Sequence, residues 1–138
     1  MNDFVLDASV ALQWFLEDEA DRKYSLAVLA KLSENRAMVP ILWFYEVGNG
    51  LLMAHRCKRI TLDQLEEFVT RLKALSIESV QQTPATILEI PSLASVHGLT
   101  NYDAAYLSLA LKLGLPLAAT DSELRQSAAA AGVKMLAV

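Results

Sequence analysis

Cysteine is almost missing from this chain: Cys57 stands alone, so no disulfide can form within it. With only His55 and His97 beside it, a structural zinc site has too few ligands, and any metal here would be bound through oxygen. Positive charge is also short. Lys and Arg number 12 against 16 Asp and Glu, a net charge of −4, which argues against a protein that grips nucleic acid mainly through a large basic field. An enzyme that touches phosphates locally through a bound cation is still allowed. No uncharged apolar stretch reaches the roughly 18 residues of a membrane span. The N-terminus, with Asp3 and Asp7, lacks a signal-peptide pattern, so a soluble, cytoplasmic protein is expected. Neither a Gly-x-Gly-x-x-Gly nor a P-loop pattern occurs, which leaves dinucleotide binding and NTP hydrolysis without support. Ser9 and Ser108 lack a Gly-x-Ser-x-Gly context, so acyl transfer fails as well.

What is present in quantity is apolar side chain. Hydrophobic residues make up 54% of 138 residues, with a mean hydropathy of +0.30. That is enough for one domain spanning residues 1–138, with apolar surface left over for a partner or for self-association. No repeat, low-complexity tract or linker divides the chain.

Strands and helices alternate along it. Phe4-Val5-Leu6 suits a buried strand, and Ser9 to Leu16 continues as a helix closed by the acidic break Glu17-Asp18-Glu19 with Asp21. Asp21 to Leu32 reads as a surface helix on Leu26, Leu29 and Leu32, and Ala37 to Pro40 as a second strand with its proline at the exit. A long helix from about Trp43 to Arg56 carries Glu46 in its first turn, with Asn49 on the same face. Gly48 and Gly50 each weaken that helix by roughly 1 kcal/mol, which suggests close packing against a neighbour. Thr61-Leu62-Asp63-Gln64 is a capping box opening a helix to about Leu75, with a stripe of Leu65, Phe68, Val69 and Leu72. Ile77 to Val80 is a brief strand. Thr83 begins a helical stretch that Pro91 splits and Gly98 ends. Ala104 to Leu113 is apolar around most of its circumference and therefore buried. Leu117 onward forms a strand ending at Asp121, Ser122 starts the last helix, and Gly132 stops it before a final strand, Val133 to Val138. This alternation predicts an α/β fold built on a mostly parallel sheet with right-handed crossovers.

Ligands of such sheets bind beyond the carboxyl ends of the strands. Asp7 and Asp121 are placed there directly, and Glu46 and Asp103 stand in first helical turns facing the same edge. Taken singly, each acid has a plain alternative as a helix cap or a dipole partner, and Thr120-Asp121-Ser122-Glu123 is itself a capping box. Taken together, four converging acids repel one another unless they are protonated or hold a cation, and oxygen ligands of this kind select Mg²⁺ or Mn²⁺. A cation in such a site activates water and stabilises charge on a phosphate, so no cysteine or histidine nucleophile is needed.

The order Asp7, Glu46, Asp103, Asp121 resembles the PIN-domain ribonucleases, most closely the VapC-type toxins of toxin–antitoxin pairs. The resemblance rests on Phe4-Val5-Leu6-Asp7-Ala8-Ser9, Trp43-Phe44-Tyr45-Glu46-Val47-Gly48-Asn49, Tyr102-Asp103-Ala104-Ala105-Tyr106-Leu107-Ser108-Leu109-Ala110 and Pro116-Leu117-Ala118-Ala119-Thr120-Asp121, and it spans nearly the whole chain. It implies an α/β/α sandwich, Mg²⁺- or Mn²⁺-dependent RNA cleavage, a homodimer and inhibition by a small cognate antitoxin. Asp7 and Asp103 would be the main metal ligands, Glu46 and Asp121 would complete the cluster, and Ser9 and Asn49 match supporting positions. One departure stands out: family members often place Thr two residues before the last acid, where this chain has Ala119, with its hydroxyl at Thr120.

Rival readings are a non-catalytic PIN-like binding module and a phosphatase with Asp7 as nucleophile. The second is weakened because Asp7-Ala8-Ser9 lacks the second Asp of Asp-x-Asp. Arg56, Lys58 and Arg59 either guide an RNA backbone or act as cations at a helix C-terminus. Trp43, Phe44, Tyr45 and Tyr102 either stack on bases or pack in the core or a dimer. His55 and His97 read as surface residues.

Overall fold

A computed structural model of the chain describes residues 2–16 and 22–138. The expected acidic break at residues 17–21 lies outside them. Strand β1 (Phe4–Leu6) is fully buried. It pairs in parallel with β2 (Ala37–Pro40) on one side and with β4 (Leu117–Ala118) on the other, and β3 (Ile77–Val80) adds in parallel to β2. The order β3-β2-β1-β4 means that the chain steps outward from β1 to β3 and then returns across the sheet to β4.

Right-handed crossovers turn that order into layers. Helices α1 (Ala8–Phe15), α2 (Arg22–Lys31), α3 (Leu42–Arg56) and α4 (Leu62–Lys73) belong to the outward steps and cover one face. The return passes through α5 (Pro84–Ile87), α6 (Ile90–His97) and α7 (Asn101–Leu113), and α7 packs across β1, β2 and β4 on the opposite face. Helix α8 (Ser122–Ala130) follows β4 and packs on α7. The chain is thus the expected α/β/α sandwich. Helix α7 is buried continuously from Ala104 to Ala110, as its all-round apolar pattern requires, and its last turn emerges at Leu111.

The structure also corrects several expectations. Helix α3 starts at Leu42 behind Ile41, which offers no side-chain cap, so Glu46 lies in the second turn rather than the first. Close approach is real at Gly50, where an added Cβ would sit 2.6 Å from the Leu12 side chain, but Gly48 has nothing within 4 Å. Val28 in α2 and Leu32 just beyond its end reach the core, while Leu26 is exposed. The capping box at Thr61 and Gln64 forms, but its helix ends at Lys73. Residues 133–138 form no strand: they meet the sheet through a single Leu117–Met135 bridge, because β4 itself is only two residues long. Among the described residues, no helix is long and apolar enough to cross a membrane.

Candidate acid site at the carboxyl edge

The first strand of the sheet lies between β2 and β4, and connections leave β1 and β4 in different directions. Such a switch point opens a crevice at the carboxyl edge. Asp7 directly follows β1, and Asp121 lies three residues beyond β4, so the two carboxylates flank that crevice.

Asp7 holds the N-cap position of α1, yet its side chain makes no capping hydrogen bond and is only 5% exposed. The Ser9 hydroxyl donates to it. Burial pushes the Asp7 carboxyl up to about 7; the Ser9 bond opposes that shift, and the charges of Asp103 and Glu46 add to it. Asp103 is the third residue of α7, behind the Thr100 cap. It is raised by burial and then by the charges of Asp121 and Glu123. Glu46 is raised by burial and by Asp103, although it accepts a hydrogen bond from the Tyr106 hydroxyl at 2.5 Å. The acids therefore share one electrostatic neighbourhood.

They do not form a tight cage: among the described residues, no group of three or more His, Cys, Asp and Glu is gathered closely enough to hold a metal ion. Chemically the donors suit a hard divalent cation. They are carboxylate and hydroxyl oxygens only, three of the carboxylates are held above their ordinary range by burial first and by the charge of neighbouring acids second, and a cation would offset both.

Asp121 has a second role. It is exposed and accepts from the Leu124 amide at 3.0 Å, so it is the N-cap of α8. The cap is thus Asp121 itself and not the Thr120 box expected from the sequence. Thr120 instead meets Ser9 Oγ at 3.1 Å, so its hydroxyl reaches Asp7 only through Ser9. Asn49 is exposed one turn beyond Glu46 and takes no part in these hydrogen bonds.

Two contributors escaped the sequence reading. Glu123 was visible as an acid in the first turn of α8. Tyr106 was visible as a phenol inside a buried helix, where the hydroxyl needs a partner. Among the aromatic residues, Trp43 is buried and edge-packed on Phe44 at 5.0 Å, whereas Tyr45 and Tyr102 are 76% and 60% exposed. Arg56 ends α3, about 15 Å of helix rise beyond Glu46, where it suits the C-terminal dipole. His55 is partly buried, with Nδ1 3.2 Å from the Ile60 carbonyl.

Comparison with known proteins bears on the same residues. A family model described as PIN domain matches residues 4–130. Ribonuclease VapC3 of Pyrobaculum aerophilum is 32% identical over 126 residues, covering 88% of this chain and 92% of that protein. Among solved structures, VapBC2 from Rickettsia felis, bound to a DNA fragment from their promoter, is similar with a TM-score of 0.64 at 14% identity, covering 97% of each chain. A toxin-antitoxin complex from Klebsiella pneumoniae is similar with a TM-score of 0.58 at 18% identity, over 86% of this chain and 87% of that one. At such identities the two structures speak for the fold.

Proposed function

This chain belongs to the PIN-domain family, and from that premise we propose that it is a divalent-cation-dependent ribonuclease, the toxin of a toxin–antitoxin pair. The observation that carries the reading is Asp7: a carboxylate only 5% exposed at the switch point, with the charges of Asp103 and Glu46 bearing on it. A carboxylate so placed suits a cation, since burial and the charges of two neighbouring acids all disfavour its bare ionised form. The similarity to a ribonuclease over most of both chains supports RNA as substrate.

Asp7 and Asp103 would hold Mg²⁺ or Mn²⁺, with Glu46 and Asp121 completing the set. Such an ion supplies an activated water and charge stabilisation at the scissile phosphate. The chain's own part is to aim the donors. Ser9 holds Asp7 and is itself held by Thr120, Tyr106 holds Glu46, and the first turn of α7 presents Asp103 at the mouth of the crevice.

A small antitoxin partner is part of the proposal, supported by the kinship with VapC3 and by the assemblies in which the structural neighbours occur. A homodimer is the companion reading. Ile41, Tyr45, Ile87 and Tyr102 are all exposed around a largely apolar groove of about 410 Å³, the kind of surface that self-association covers.

The test is incubation of purified protein with tRNA, rRNA and mRNA in Mg²⁺, Mn²⁺ or EDTA, with mapping of the cleaved ends. Cleavage that needs a divalent cation and is lost in Asp103→Asn is expected. Cleavage that survives EDTA, or no cleavage of any RNA, overturns the proposal.

A further inference from the structure

Helix α7 contributes Asp103 to the crevice, and one turn later it contributes a side chain of a different kind. Tyr106 is completely buried, with no exposed surface, yet its hydroxyl reaches the partly exposed Glu46, 60 positions earlier in the chain, and donates to Oε1 at 2.5 Å. The bond joins α7 to α3 from opposite faces of the sheet, at the edge where β1 ends. A buried phenol needs an acceptor, and a backbone carbonyl would meet that need. This one is committed instead to one oxygen of an acid in the site.

We infer that Tyr106 is a positioning residue: its hydroxyl, bonded to Oε1, holds the Glu46 carboxylate in one orientation for a divalent cation. The inference rests on the cation-dependent reading of the site. Three features of the arrangement support it. Glu46 projects from the second turn of α3, where a glutamate samples several rotamers unless something holds it. The donor is rigid, since the Tyr106 ring is enclosed on all sides and its direction is set by the core. A phenol that donates to a carboxylate also orders it before the cation arrives, so less freedom is lost on binding. Groups that orient metal ligands in this way typically cost 10–100-fold in affinity or activity when removed.

Tyr106→Phe keeps the ring and removes only the hydroxyl. Binding of Mn²⁺ to the full chain, measured by calorimetry, should weaken by about tenfold or more. The double variant Tyr106→Phe with Glu46→Gln should bind no more weakly than Glu46→Gln alone, because the tyrosine acts only through that carboxylate. Additive losses, or unchanged affinity in Tyr106→Phe, overturn the inference. A second readout uses the unaltered protein: Mn²⁺ should change the tyrosine resonance Raman signal of a hydrogen-bonded phenol, and Glu46→Gln should abolish that change. A signal that ignores Mn²⁺ overturns the inference even if Tyr106→Phe does not fold. Failure of the parent reading looks different, because the unaltered protein would then bind no Mn²⁺ at all.

Discussion

Ser9 and Thr120 touch hydroxyl to hydroxyl at 3.1 Å across the switch point of the sheet, joining the end of β1 to the end of β4. Ser9 has one proton, and it goes to Asp7. Thr120 must therefore donate to Ser9, and the relay runs Thr120 to Ser9 to Asp7. The last hydroxyl steadies the ionised form of a carboxylate that burial otherwise disfavours.

A pH dependence follows from Asp7. Its carboxyl is raised from 3.8 to about 7, so between those values the folded protein keeps a proton that the unfolded chain releases. Stability in EDTA should then fall as pH rises through this window, with Asp7 contributing up to about 1.4 kcal/mol per pH unit. Glu46 and Asp103 are raised as well and act in the same direction. Urea unfolding at pH 5 and pH 7 measures the slope. Asp7→Asn should flatten it, and Ser9→Ala should extend it to higher pH by removing the bond that opposes the shift. A wild-type slope of zero or of opposite sign refutes the account.

Asp103→Asn removes a charge and almost no volume. Asp121 and Glu123 repel that charge, so the cation-free variant should melt no lower than the parent protein. RNA cleavage should fall by more than about 100-fold, since even groups standing behind metal ligands cost 10–100-fold. A variant that keeps its melting point and its activity would remove Asp103 from the site.

The legible parts of this molecule were those written locally. Asp7 and Asp121 could be placed because short apolar runs ended at or just before them, and Asp103 because it opened a helix apolar all round. Helix α3 begins one residue before its sequence pattern indicates, which moves Glu46 from the first turn into the second, because Ile41 is no capping residue and leaves the start of α3 unmarked. The Tyr106 bond to Glu46 spans 60 positions, which no periodicity registers. The final strand failed for a similar reason: residues 133–138 look like a strand, but their pairing depends on a β4 with only two residues to offer.

Thermal melting tests the cation reading without any RNA. A ligand that binds only the native state stabilises it by about 2.7 kcal/mol at 100 times its dissociation constant, so millimolar Mn²⁺ should raise the midpoint. Asp7→Asn should lose most of that rise, and EDTA should reverse it in the parent protein. An equal rise in Asp7→Asn would place the cation elsewhere.

Gly48 and Gly50 separate two reasons for a glycine in a helix. Both lie inside α3, where alanine is favoured over glycine by about 1 kcal/mol. At Gly48 an added Cβ meets nothing within 4 Å, so Gly48→Ala should gain about that much in denaturant unfolding. At Gly50 the same atom would lie 2.6 Å from both terminal methyls of Leu12 and 3.2 Å from its Cγ. Leu12 belongs to α1, which packs directly on α3, and it lies against the buried core, so turning it aside disturbs that packing. Overpacking of this kind costs about 1–3 kcal/mol, enough to cancel or exceed the helical gain. Gly50→Ala should therefore be less stable than Gly48→Ala, and equal stability would mean that Leu12 yields and the close approach of α1 to α3 constrains nothing.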